Sequence, residues 1–241
     1  MDIVFNQVGK KYDKDIVLDH LDLRFPVQGG IISFLGPNGI GKTTIMKLLS
    51  GILLPTSGTI ATTEGKGKDY DAWARQNVAY CSSDDRYLSY KLTGIENIVR
   101  YGVLKGVDKA QVLTRLESFA SCLDSTTFLN KRVEQMSTGQ KKMTKVLSCF
   151  ASGYPILILD EPTNGLDEES RSRLIETIGR MKEKAACSLF VSSHDLGFIH
   201  QITDTHLFLF GNDKAELKTM PNATLDALQA AYHTIKGGNS L

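Results

Sequence analysis

The segment that most constrains this chain is Gly36-Pro37-Asn38-Gly39-Ile40-Gly41-Lys42-Thr43, which satisfies the pattern GxxxxGK[ST]. A turn this tight needs positive backbone angles and no obstructing side chains, which glycine supplies. Its main-chain N–H groups converge on an anion at a helix N-terminus, where the helix dipole also favours negative charge. The flanks fit that context. Ile31-Ile32-Ser33-Phe34-Leu35 reads as an apolar strand, and Lys42 to Ser50 carries Ile45, Leu48 and Leu49 at helical spacing. Lys42 is placed to pair with the outer phosphates of a nucleotide and the Thr43 hydroxyl to ligate Mg²⁺. The loop therefore predicts triphosphate binding by Gly36, Pro37, Asn38, Gly39, Ile40, Gly41, Lys42, Thr43 and the adjoining Thr44.

A second segment belongs at the same edge. Tyr154-Pro155-Ile156-Leu157-Ile158-Leu159-Asp160-Glu161 is an apolar strand ending in two acids. Strands buried on both faces read as continuous apolar runs, and ligands of open parallel sheets lie beyond the carboxyl ends of the strands. Asp160 is thus expected to hold Mg²⁺ through water. Glu161, pointing the other way, suits a general base for an attacking water.

The rest of the chain places these motifs. Leu21, Leu23 and Phe25 alternate with Asp22 and Arg24, the pattern of a half-buried strand. Residues 52–75 are turn-rich (Pro55-Thr56-Ser57-Gly58, then Gly65-Lys66-Gly67) and are expected to cross a small antiparallel sheet. Asn77 to Cys81 reads as a strand. Residues 84–150 read as mostly helical: Thr93 and Glu96 form a capping box, Asp108 starts a second helix, and a third begins near Ser137. Strands at 155–159, 187–192 and 205–210 then alternate with helices at 168–184 and 195–201. This order predicts an α/β fold with a parallel-sheet core, an antiparallel β subdomain and an inserted helical subdomain, all within one domain spanning 1–241.

Composition excludes several function classes. Lys plus Arg (28) against Asp plus Glu (27) leaves a net charge of +1, without the basic excess expected of a nucleic-acid partner. No apolar run approaches the roughly 18 residues of a membrane helix, and the N-terminus lacks a signal-peptide pattern. Cys81, Cys122, Cys149 and Cys187 have no metal spacing and read as buried thiols of a cytoplasmic chain.

With these residues in place, the chain resembles the nucleotide-binding domain of the ATP-binding-cassette (ABC) family. The family signature LSGGQ stands here as Met136-Ser137-Thr138-Gly139-Gln140, between the phosphate loop and the acidic strand. Pro162-Thr163-Asn164-Gly165-Leu166-Asp167 resembles the loop that crosses the family's dimer interface, and Ser192-Ser193-His194 resembles its switch histidine. Tyr12 occupies the place of the aromatic that stacks on adenine, and Thr93-Gly94-Ile95-Glu96-Asn97 resembles the helix start after the family's glutamine loop. Taken singly, Ser137-Thr138-Gly139 also fits a plain helix N-cap, His194 a strand-end histidine and Tyr12 a core aromatic. Lys141, Lys142 and Lys145 read as a solvated helix face.

The resemblance implies the P-loop NTPase fold in its ABC-ATPase form. It also implies an ATPase that takes ATP and Mg²⁺, with Glu161, His194 and Lys42 catalytic. Head-to-tail pairing with a second cassette, a homodimer being favoured over a related partner chain, would bring Ser137, Gly139, Gln140 and Asp167 of one cassette to the ATP of the other. A separate membrane permease is implied, with the chain on the inner face of the cell membrane. Its size and ordinary helical insert are similar to ATPases of small exporters, so export is favoured over import. Two other readings are a soluble ABC ATPase, such as an iron–sulfur assembly ATPase, and a nucleotide-binding module that does not hydrolyse. One departure matters: Ser83 stands where the family carries a glutamine that reaches the metal and the attacking water. Serine is too short for that. A bridging water, a substitute in Asp84 or Asp85, or an altered coupling are the available remedies, the water being the working expectation.

Overall fold

The computed structural model describes residues 1–64, 69–123 and 125–237. The turn expected at Gly65-Lys66-Gly67 lies outside the described residues. Strands β1 (Asp2–Tyr12), β2 (Asp15–Pro26) and β4 (Ser57–Thr62) form an antiparallel sheet in the order β2-β1-β4. The larger sheet joins β3 (Ile31–Leu35), β5 (Val78–Cys81), β6 (Ile156–Asp160), β7 (Ser188–Ser192), β8 (Thr205–Leu209) and β9 (Ala215–Thr219). Its order is β5-β6-β7-β3-β8-β9, parallel except for the β8–β9 edge.

Strand alternation explains why the core strands look uniformly apolar. Ile156 and Ile158 of β6 face a core shared with the antiparallel sheet, while Leu157 and Leu159 face a second core shared with helices. The first core encloses helix α1 (Lys42–Leu49) through Ile45, Met46, Leu48 and Leu49. It is knit by aromatic contacts, with Phe25 lying 5.8 Å from Phe34 and 5.7 Å from Phe190 between ring centroids. The phosphate-loop helix is therefore gripped from both sides.

The second core carries the helices. Helix α3 (Gly94–Leu104) opens on the expected Thr93–Glu96 capping box, and α4 (Lys109–Ser118) is capped by Asp108. Helix α5 (Thr138–Ser152) follows three short 3₁₀ turns, and α6 (Glu168–Lys184) and α7 (Leu196–Ile202) follow in order. The four cysteines are free and buried. Among the described residues no helix is long and apolar enough to cross a membrane.

Two expectations change, and residues after 210 add elements for which none was stated. Part of the turn-rich 52–75 segment is helix α2 (Tyr70–Asn77), so Asn77 ends a helix and does not begin β5. Residues after 210 form β9 and a helix, α8 (Leu225–Gly237). Lys142 and Lys145 are not on a solvated face: they are 6% and 1% exposed, and only Lys141 sits at the boundary, over the Tyr90 ring. Their ammonium groups are held by carbonyls of the 82–85 loop, which offsets the cost of burying charge.

Candidate functional site

Strand β3 has β7 on one side and β8 on the other, so chain order reverses at its carboxyl end. That is the switch point where open α/β sheets hold ligands. The register places Phe34 beside Ser192 and Ser192 beside Asp160, so the ends of β3, β7 and β6 meet at one level. The loop after β3 takes φ of +82° at Gly39 and +109° at Gly41, which caps α1. Lys42 Nζ donates to the carbonyls of Gly36 (2.7 Å) and Pro37 (3.0 Å), folding the side chain back over its own loop. Burial lowers the Lys42 pKa, opposed by the carboxylates of Glu161 and Asp160.

Asp160 is buried and saturated with donors. Thr43 Oγ1 lies 3.1–3.2 Å from its two oxygens, Tyr80 OH donates at 2.8 Å and Ser192 Oγ at 2.6 Å. Burial and the Asp160 charge hold the Tyr80 phenol far above its usual pKa, so it remains a donor. Glu161 adopts φ +48°, a left-handed conformation that a non-glycine residue adopts at a cost of roughly 1–3 kcal/mol. Its N–H donates to the Ser192 hydroxyl (2.9 Å), and its Oε2 lies 2.9 Å from His194 Nδ1. Glu161 is shielded at 17% exposed, whereas His194 is 59% exposed.

The other expected residues form a separate group. Ser137 caps α5 reciprocally with Gln140, its hydroxyl accepting from the Gln140 N–H at 3.3 Å. Gly139 packs so closely on α6 that a Cβ there would sit 2.8 Å from Ser170 Oγ. Asp167 caps α6 through Ser170 N–H (2.7 Å), and these hydrogen bonds pull its pKa below the usual carboxylate value. Tyr12 ends β1, 42% exposed with Lys10 Nζ 5.4 Å from its ring centre. Thr44 is buried in α1, Thr43 and Asn38 are exposed, and Pro37 and Ile40 are half-buried. Among the described residues no hydrogen bond joins the group at 137–140 and 167 to the phosphate loop.

Around Ser83, the two aspartates are committed elsewhere. Asp84 accepts from the Arg86 N–H (3.0 Å), and Asp85 Oδ1 lies 2.8 Å from Lys145 Nζ as an ion pair without hydrogen-bond alignment. Sequence reasoning missed Tyr80 and Ser192 as partners of Asp160, and Tyr232 of α8, whose hydroxyl donates to the Gly36 carbonyl at 3.4 Å. Ser192 carried a usable signal, the strand ending two residues before His194. Nothing local marks Tyr80 or Tyr232.

The family model described as ABC transporter matches residues 18–164. The Fe(3+) ions import ATP-binding protein FbpC of Pasteurella multocida (strain Pm70) is 29% identical over 194 residues, 80% of this chain and 54% of that protein. The glucosylceramide transporter ABCA12 of Homo sapiens is 32% identical over 212 residues, 86% of this chain and 8% of that protein. The chain thus spans about half the length, or less, of these two curated relatives. A solved dimeric ATP-binding cassette in a post-hydrolysis state, bound to ADP and Pi, superposes with a TM-score of 0.74 at 21% identity, covering 92% of this chain and all of that one. The chain belongs to the ABC transporter family, and its P-loop α/β fold is that of an ATP-binding cassette.

Proposed function

We propose that this chain hydrolyses ATP with Mg²⁺ to energise a separate membrane permease, acting as one cassette domain with its helical subdomain at about 84–150. The observation that carries the reading is the convergence of Lys42, Thr43, Asp160, Glu161 and His194 on one sheet edge. The donor set fits Mg²⁺: a hydroxyl and a carboxylate are hard oxygen ligands, and this ion uses one or two such groups with waters and phosphates. Thr43 and Asp160 would hold the ion, which when bound draws charge from the outer phosphates.

The chain's own residues do the rest. Lys42 exchanges its two carbonyl acceptors for phosphate oxygens. Main-chain N–H groups from Asn38 to Thr44 cradle the phosphates, and exposed Tyr12 stacks on the base. Glu161 Oε1, which makes no hydrogen bond among the described residues, orients the attacking water and accepts its proton. His194, bonded to the other oxygen, fixes the carboxylate and senses the outer phosphate. In-line transfer needs this positioning more than covalent chemistry.

Ser137, Gly139, Gln140 and Asp167 have no phosphate loop to serve within their own chain. We place them against the ATP of a second copy, where the α5 N-terminus adds positive potential. Exposed Val103 and Leu104 on α3, with Tyr90 nearby in sequence, support docking of the permease on that side. Such docking puts the chain on the inner membrane face. We favour export on the resemblance to small exporters alone, since the relatives include an Fe(3+) ions import ATP-binding protein; transport in sealed vesicles tests it. Turnover of Mg·ATP that falls at least about a hundredfold in Glu161→Gln, with nucleotide affinity kept, is the expected result. Equal turnover in that variant contradicts the assignment.

A further inference from the structure

Two lysines of α5 do something a surface helix does not. Lys142 and Lys145 lie three residues apart, on one helical face, and both ammonium groups are buried under the loop that follows β5. Lys145 Nζ donates to the carbonyls of Ser82 (3.0 Å), Ser83 (3.3 Å) and Asp84 (2.8 Å), and pairs with Asp85. Lys142 Nζ donates to the Ser83 carbonyl at 2.9 Å. An ammonium group has three protons, so this nest uses all of them on successive carbonyls of one loop. Burial and the neighbouring Lys145 charge lower the Lys142 pKa, so the arrangement is costly to hold.

The nest stands at an informative place. Helix α5 begins at the Ser137 cap, one to two turns before these lysines. The loop they grip follows directly from β5, whose Tyr80 donates to Asp160. Among the described residues Ser83 makes its hydrogen bonds through its carbonyl, to Lys142 and Lys145, and none joins its side chain to Thr43 or Asp160. We infer that Lys145, assisted by Lys142, is a positioning residue for ATP turnover: it locks the 82–85 loop to α5, so that displacement of the Ser137 end is carried to the β5–β6 edge that holds Asp160. Nucleotide binding is served by other residues, and the lysine clamp acts on the step after binding.

This inference rests on the proposed ATP turnover, and its test separates the two. In the full chain, Lys145→Met is expected to lower kcat about tenfold while KM for ATP stays within about twofold. Removing the lysine also strands the Asp85 charge, so the double variant Lys145→Met with Asp85→Asn is measured beside it. The double variant is expected to regain thermal stability and yet keep the low kcat. A kcat that returns with stability, or a Lys145→Met enzyme equal to the parent, overturns the inference and makes the clamp merely structural. Hydrogen–deuterium exchange supplies an arm independent of turnover. Nucleotide-induced changes at 82–88 and at the start of α5 should appear together in the parent and uncouple in the double variant; an identical pattern in both overturns the inference. A parent chain without turnover would instead overturn the ATPase reading, leaving exchange to decide this one.

Discussion

Ser83 shows how a single residue can be short of its expected task and still sit in an ordered loop. Its carbonyl, not its side chain, is what α5 holds, at 2.9 Å from Lys142 and 3.3 Å from Lys145. With Asp84 bonded to the Arg86 N–H and Asp85 paired with Lys145, the bridging water remains the working expectation beside an altered coupling. Ser83→Gln should therefore preserve or raise ATP turnover, because the loop's anchor is main chain; complete loss would show a site built around serine. A second residue reports on stability. His206 of β8 is buried beside Ser33, with Nδ1 2.8 Å from Oγ, and burial pushes its pKa from 6.5 down to about 4. Between those values the unfolded chain binds more protons than the folded one, so stability rises with pH there and is lost as pH falls from 6.5 towards 4. The loss should reach about 2–3 kcal/mol. Urea midpoints at pH 7 and 5 should show this fall in the parent and a smaller one in His206→Gln; equal falls would contradict the assignment.

At the scale of elements, α5 joins the two halves of the account. Its first turn is closed by the Ser137–Gln140 box, and its next turns hold the 82–85 loop. Ser137→Ala should cost about 1 kcal/mol of stability, as loss of an N-cap does. It should also weaken nucleotide-driven pairing; thermal melts and light scattering read the two effects separately, and unchanged pairing would count against the proposed role. Elements with strong local chemistry were legible in the sequence: the glycine loop, the Thr93 capping box, and the apolar run of β6 ending in two acids. Helix α2 was not, because only Tyr70 and Ala74 of its eight residues are buried, too few for a visible period. Strand β9 has no residue in the buried class and follows a turn, so no apolar pattern marks it. Lys142 and Lys145 were misread for a different reason. Lysines on a helix are ordinarily solvated, and the carbonyls that hold them come from some sixty residues earlier in the chain.

At the scale of the molecule, the catalytic edge and the signature end of α5 are both well built and are not joined by hydrogen bonds within one chain. In the proposed head-to-tail pair two copies would complete each other, with ATP part of the contact that closes them. The ordered motifs together, and no single one of them, raised the expectation of a second copy; the spatial separation of the two groups emerges only from the fold. A structure of the Glu161→Gln chain with Mg·ATP tests the claim most directly. It should show two copies with Ser137 of each against the triphosphate held by Lys42 of the other. Lone molecules, or a pairing that leaves Ser137 away from the opposing nucleotide, would contradict it.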